Sequence, residues 1–193
     1  MGNKTTNILI VGVGGQGIIL ASEVMADVFM EAGFDVKKSE VHGMAKRGGS
    51  VSTHVRFGPK VFSPLIKEGE ADIFMAFEEL EALRYLHYLS PQPSILLNEQ
   101  RLNPPSVSLG NDAYPENIPD TLSRRAGMFK NIPGRKLALR AGDGRAVNVV
   151  LLGALSSLLS IPEKIWADNV LRRFPPKAAQ VNLEAFRLGR SVR

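Results

Sequence analysis

The apolar run Ile8-Leu9-Ile10-Val11 feeds straight into Gly12-Val13-Gly14-Gly15-Gln16-Gly17, and a helix-like stretch then runs from Gln16 to about Ala32. A strand that ends in a GxGxxG turn and opens a helix starts an α/β unit. Its glycines allow a tight turn, close approach of a ligand to the backbone, and close packing of helix on strand. Amides at such a turn point at whatever occupies the helix N-terminus, where negative charge is favoured. A second glycine turn, His42-Gly43-Met44-Ala45-Lys46-Arg47-Gly48-Gly49, follows shortly and contributes two cations. The pair predicts an anion-binding mouth.

Strand-like and helix-like segments alternate along the chain, with strands expected at 7–11, 35–39, 50–57, 72–76 and 94–98. This alternation predicts an α/β fold: a three-layer, Rossmann-like domain spanning 1–193, with a mainly parallel sheet and helices on both faces. Val51, Thr53 and Val55 alternate with Ser52, His54 and Arg56, which predicts a strand with one wetter face. Ile73 to Phe77 is apolar throughout and reads as central. Residues 78–89 read as a helix with Leu80, Leu83, Leu86 and Tyr88 at helical spacing and acidic residues in the first turn, where the dipole favours them. Prolines at 104, 105, 115, 119 and 133 predict an irregular excursion over 101–135 without a buried element.

Order is expected to return at 136–140, followed by an apolar helix at 147–159 whose Gly153-Ala154-Leu155 patch permits close packing. Ser160-Ile161-Pro162-Glu163 reads as a capping box opening a helix to about Phe174. The last helix is expected at 177–188, with Gly189 terminating it.

Composition narrows the chemistry. With no cysteine among 193 residues the chain offers no thiolate for an iron-sulfur cluster and no disulfide. His42, His54 and His87 lack metal-site spacing, and neither a Walker-type nor a GxSxG motif occurs, so no residue is assigned to metal binding or to catalysis. The net charge of +5 is spread along the chain, which reads as a solvated basic surface with no nucleic-acid partner. A local excess near the C-terminus (Arg172, Arg173, Lys177, Arg187, Arg190, Arg193) suits an acidic partner chain. No apolar run is long enough to span a membrane, and a cytoplasmic location is expected.

Two readings of the glycine turns remain open at this point. In a dinucleotide site an acidic residue is expected roughly 20 positions beyond the turn. Here Asp35 comes early, Glu40 late, and Lys37-Lys38 lie between, an arrangement open to a 2′-phosphate. A self-contained NAD(P)-binding oxidoreductase is therefore one alternative; a turn serving another anion or a partner chain is the other. His42 reads as a hydrogen-bonded loop residue and Asn148 as a satisfied polar group in an apolar helix. Arg47 is open to a salt bridge, an anion or a partner contact.

Taken in order, Gly12-Val-Gly-Gly-Gln-Gly-Ile18, Glu40-Val-His-Gly-Met-Ala-Lys-Arg-Gly-Gly-Ser-Val51, Ala71-Asp-Ile, Glu78-Glu-Leu-Glu-Ala-Leu-Arg84, Asn148-Val-Val-Leu-Leu-Gly153 and Asn182-Leu-Glu-Ala-Phe186 resemble the gamma-type domain of the 2-oxoacid:ferredoxin oxidoreductases. Within that family the resemblance is to the indolepyruvate type. Lys46 stands where glutamine is usual, and 114–139 matches loosely. The resemblance implies a small subunit whose large alpha partner carries thiamine diphosphate and 4Fe-4S clusters. The complex would decarboxylate an aryl pyruvate such as indolepyruvate, reduce ferredoxin and acylate coenzyme A. This chain itself would hold neither thiamine diphosphate nor a cluster. It further implies that Gly12, Gly14, Gly15, Gln16, Gly17, His42, Arg47, Gly48 and Gly49 line the cleft, in contact with coenzyme A or substrate.

Overall fold

The computed structural model describes residues 4–43 and 48–192. Its centre is β1 (Thr6–Val13), flanked on one side by β3 (Ser50–Gly58) and β2 (Asp35–His42) and on the other by β4 (Ala71–Ala76), β5 (Leu89–Asn98) and β6 (Met128–Ile132). β1, β4, β5 and β6 pair in parallel, whereas β3 runs antiparallel to both β1 and β2. The short link between β2 and β3 permits only an antiparallel return, because a parallel crossover needs a dozen or more residues. Five strands thus point the same way, and β3 is inserted between β1 and the edge.

Period-two alternation splits the core into two layers. Ile8, Ile10, Ile73, Met75 and Leu96 face α1 (Ile18–Glu31) and α6 (Val147–Ser156), joined there by α7 (Glu163–Arg173) and α8 (Pro176–Arg190). Leu9, Val11, Phe74, Ala76, Ile95 and Leu97 face the opposite way, towards α2 (Glu79–Arg84) and α4 (Ile118–Ser123). A single turn, α3 (Pro105–Ser108), and α5 (Gly134–Ala141) complete the helices. Helices cover both faces, as the alternation of segments predicts.

Several local expectations are corrected. The supposed wetter face of β3 is covered: Ser52 and His54 are buried, and the 59–70 connection meets this face where Ile66 N–H donates to His54 Nδ1 and Arg56 donates to the carbonyls of Ser63 and Leu65. The helix expected over 78–89 stops at Arg84, a 3-10 turn occupies Leu86–Tyr88, and β5 begins at Leu89. The 101–135 excursion does contain buried elements. β6 extends the sheet, and α4 buries Ile118 and Leu122 completely. The prolines there serve as helix starts: Pro119 lies in the first turn of α4 and Pro133 immediately precedes α5.

No side-chain cap forms at Ser160; α7 begins at Glu163, whose carboxylate forms an ion pair with Arg190 Nε at 3.0 Å. Gly189 lies inside α8, not beyond its end. The C-terminal cations are largely spent within the chain, Arg172 on Glu31, Arg173 on Glu23 and Arg190 on Glu163.

His54 has a testable consequence. Its Nδ1 accepts from Ile66 N–H at 3.1 Å, and burial lowers its pKa below the ordinary imidazole value. A base whose folded pKa is depressed leaves the unfolded chain binding more protons as pH falls below about 6.5, so stability declines there. The melting temperature is expected to fall between pH 7.5 and pH 5.5, with a smaller fall in His54→Gln. Equal slopes for the two proteins in a scanning-calorimetry pH series would sink this assignment.

Candidate functional site

The C-terminal ends of β1 and β4 meet where the first glycine turn leaves the sheet, the position at which parallel α/β sheets place ligands. Gly12 is glycine for packing: a Cβ there would stand 2.7 Å from Phe77 Cβ and 2.6 Å from Gln16 Oε1. Gly15 and Gly17 have left-handed φ values of 104° and 79°, which leaves the turn's backbone bent outward.

Gln16 braces the turn from within. Its Oε1 accepts from Val13 N–H at 2.7 Å, and its Nε2 lies 3.1 Å from Phe77 O and 3.2 Å from Gln100 Oε1. Asn98 donates to the same two oxygens, at 3.0 and 3.2 Å, which ties the ends of β4 and β5 beneath the turn. Asn148, 131 residues further along the chain, packs its amide 3.4 Å from Gly17 O.

The second glycine turn lies directly beside the first. Gly14 N–H donates to Gly49 O at 2.8 Å and Gly48 N–H to Gly14 O at 3.3 Å, continuing the β1–β3 ladder. Gly14 is therefore consumed by the pairing of the turns. Among the described residues, the amides of Gly15 and Gly17 donate to no protein acceptor, and α1 has no side-chain cap at Gly17. Lys46 and Arg47 lie outside the described residues.

A cleft opens on each side of the Gly15–Gly17 corner. The first, about 560 Å³, is walled by Gln100, Arg135, Arg145 and Asn148. The uncapped starts of α1, α5 and α6 border it, so backbone partial charges add to its cations. Arg145 is neutralised by Asp143 at 2.7 Å, whose carboxyl it holds below the usual range. Arg135 pairs with no carboxylate among the described residues. The second cleft, about 660 Å³, is more apolar, lined by Val13, Ile18, Ile19 and Val51 with His42 at its edge. His42 is exposed, its Nδ1 3.2 Å from Gly43 O.

The strand order removes the second half of a dinucleotide site. In that fold the strand following the first helix lies next to β1 and presents its terminal acid to the ribose. Here β2 is the sheet edge, two positions away, and β3 occupies its place in the opposite direction. Lys37 and Lys38 bind Asp35 and Glu40 on that edge, at 2.7 and 2.8 Å.

One cluster escaped sequence reading. Glu78, Glu79 and Glu81, read there as first-turn residues favoured by the helix dipole, are all buried. Glu78 caps α2, accepting from Glu81 N–H at 2.9 Å, Leu102 N–H at 3.0 Å and Tyr114 O–H at 2.6 Å. Glu79 holds Arg101 at 2.8 Å, and that guanidinium lies 5.3 Å from the Tyr114 ring centre. Burial, reinforced by Glu78, pushes the Tyr114 phenol well above its ordinary pKa. The available signal was an acidic run directly after the apolar run Ile73 to Phe77, at a carboxyl strand end. Gln100 and Arg135 carried none, since their roles depend on chain segments converging from elsewhere. No group of three or more acidic or histidine side chains among the described residues could hold a metal ion, and no described helix is long and apolar enough to cross a membrane.

Comparison with known proteins agrees with this geometry. The family model "Pyruvate ferredoxin/flavodoxin oxidoreductase" matches residues 7–192. Indolepyruvate oxidoreductase subunit IorB of Pyrococcus horikoshii is 41% identical over 191 residues, covering 96% of this chain and 95% of the relative. The subunit of the same name from Thermococcus kodakarensis is 39% identical over 193 residues, with 96% and 95% covered. Among solved structures, 2-oxoglutarate:ferredoxin oxidoreductase from Magnetococcus marinus, with 2-oxoglutarate, coenzyme A and succinyl-CoA bound, superposes with a TM-score of 0.76 at 25% identity. The match covers 98% of this chain but 31% of that one, so the same fold there is part of a longer polypeptide.

Proposed function

The chain belongs to the pyruvate ferredoxin/flavodoxin oxidoreductase family, as a small subunit of a 2-oxoacid:ferredoxin oxidoreductase, and from that premise we propose that its two glycine turns close over coenzyme A in an indolepyruvate-type enzyme. A separate large alpha subunit carries thiamine diphosphate and the 4Fe-4S clusters and passes electrons to ferredoxin. This chain has no cysteine to ligate a cluster, and no step is routed through the clusters or thiamine diphosphate. Its contribution is binding and orientation of the acyl acceptor. The complex works in the cytoplasm.

The observation that carries this reading is the Gly15–Gly17 corner, where the amides of Gly15 and Gly17 are without a protein acceptor among the described residues and stand between a cationic and an apolar cleft. Coenzyme A has the matching halves: a phosphate-rich end suited to uncapped helix starts and Arg135, and an extended pantetheine arm suited to Val13, Ile18 and Val51. His42, Gly48 and Gly49 border the second cleft or pair with the first turn, and Gln16 acts as its brace.

Gly15→Val places a branched side chain at the corner, and Arg47→Ala removes a cation from the second turn. In the assembled enzyme both are expected to raise the KM for coenzyme A about tenfold, the loss of one charge-assisted contact, with the KM for the 2-oxoacid within about twofold. Steady-state kinetics with a viologen acceptor measures this. Weakened assembly with unchanged turnover per complex would instead make the turns a subunit interface.

A further inference from the structure

Glu81 lies in α2, a different element from either glycine turn, yet it reaches the second. Its Oε2 accepts from the Ser50 hydroxyl at 2.5 Å, its Oε1 lies 3.2 Å from Arg84 Nε, and Ser50 Oγ is 3.3 Å from the Tyr85 hydroxyl. Ser50 is the first residue of β3 and follows Gly48 and Gly49 directly. The stem of the second turn is thereby tied at two levels: its backbone to Gly14, and its first strand side chain to α2. Glu81 is only 5% exposed, so taking its carboxyl out of water demands a reason in the contacts it makes.

We propose that Glu81 is a positioning residue for coenzyme A binding: through the Ser50 hydroxyl it fixes the C-terminal stem of the second glycine turn at the distance from the first that the ligand requires. This rests on the coenzyme A reading of the turns given above. Glu81 itself touches neither cleft. Its influence passes through Ser50 to Gly49 and Gly48. Burial raises its pKa, opposed by the Ser50 hydroxyl and Arg84, with Glu78 adding to the rise. An acceptor oxygen in the right place, more than a full negative charge, is what the arrangement uses, and glutamine supplies one.

The test is made in the assembled complex with Glu81→Ala, Glu81→Gln and Ser50→Ala, alongside Gly15→Val. Glu81→Ala and Ser50→Ala are expected to raise the KM for coenzyme A about tenfold, as for loss of a hydrogen bond to a charged group. The kcat and the KM for the 2-oxoacid should stay within about twofold. Hydrogen exchange at the amides of 48–52 should accelerate in both variants, and Glu81→Gln should restore the KM and the exchange rates nearly to wild type. Ser50→Ala, which deletes a single hydroxyl, keeps the test alive if Glu81→Ala fails to assemble. An unchanged coenzyme A KM in Glu81→Ala or Ser50→Ala, with a raised one in Gly15→Val, overturns the role of Glu81 and leaves the reading of the turns standing. If Gly15→Val is also without effect, the reading of the turns itself falls. Equal losses in alanine and glutamine variants, spread over kcat and both KM values, would reduce Glu81 to a general structural role.

Discussion

Replacing Gly189 with alanine is expected to lower the melting temperature by about 6–12 °C, from a loss of about 3 kcal/mol, and Gly153→Ala to do much the same. The two glycines face each other across the crossing of α6 and α8. A Cβ on Gly189 would stand 1.9 Å from Val150 O, and one on Gly153 would stand 2.0 Å from Phe186 O. Both obstacles are backbone carbonyls in the middle of helices, so no side-chain rotation can relieve the overlap, and the helices must separate. That separation would loosen Val149, Val150, Leu151 and Phe186, all fully buried in the larger of the two cores, and would forfeit dispersion contacts along the whole crossing. Gly43→Ala is the control, since a Cβ there meets nothing within 4 Å among the described residues; its stability should stay within about 0.5 kcal/mol of wild type. Thermal unfolding followed by circular dichroism measures all three. A Gly189→Ala protein that melts with Gly43→Ala would show that α6 and α8 do not meet this closely.

That crossing also marks where sequence stops being informative. Gly153 sat inside an apolar helix pattern and could be read as a packing residue. Gly189, near the end of a helix pattern with a cation after it, carried the signature of a terminator, and only its partner across the interface shows otherwise. The same limit applies to strand order. Alternation identified β1 to β5, and the apolar run at Ile73 to Phe77 correctly marked a central strand, but no local pattern says that β3 inserts between β1 and β2. Period-two alternation in β3 suggested one wet face because Ser, His and Arg are polar; the 59–70 connection buries that face by giving His54 a backbone donor. In the 101–135 segment, prolines were read as breakers although Pro105, Pro119 and Pro133 stand at helix starts, where a missing N–H costs nothing. The site divides in the same way. The glycine turns are local in sequence and were legible. Glu81, Gln100, Arg135 and the burial of Glu78 depend on segments separated by tens of residues, and their side chains look like ordinary surface.

Gly17→Ala carries the largest expected loss of both stability and function at the site. Gly17 stands at the N-cap of α1 with φ 79°, a conformation that costs an L-residue roughly 1–2 kcal/mol. An alanine Cβ would also stand 2.7 Å from Asn148 Nδ2 and 3.1 Å from Asn148 Cγ. Asn148 is 5% exposed in the first turn of α6, where its Oδ1 accepts from Val149 N–H at 3.0 Å, and swinging it away would break that bond. The two penalties separate experimentally. In wild-type background Gly17→Ala is expected to cost about 2–3 kcal/mol, the sum of backbone strain and overlap. In an Asn148→Ala background the overlap disappears and the cost should fall to the strain alone, about 1–2 kcal/mol, a coupling of about 1 kcal/mol by double-mutant cycle. The coenzyme A KM of the assembled enzyme should respond differently. It should rise at least tenfold in Gly17→Ala, and Asn148→Ala should restore little of it, because the Gly15 and Gly17 amides are aimed by the turn's φ angles and not by Asn148. Full kinetic recovery in the double variant would mean that Asn148, not the turn backbone, sets the geometry of the anion site.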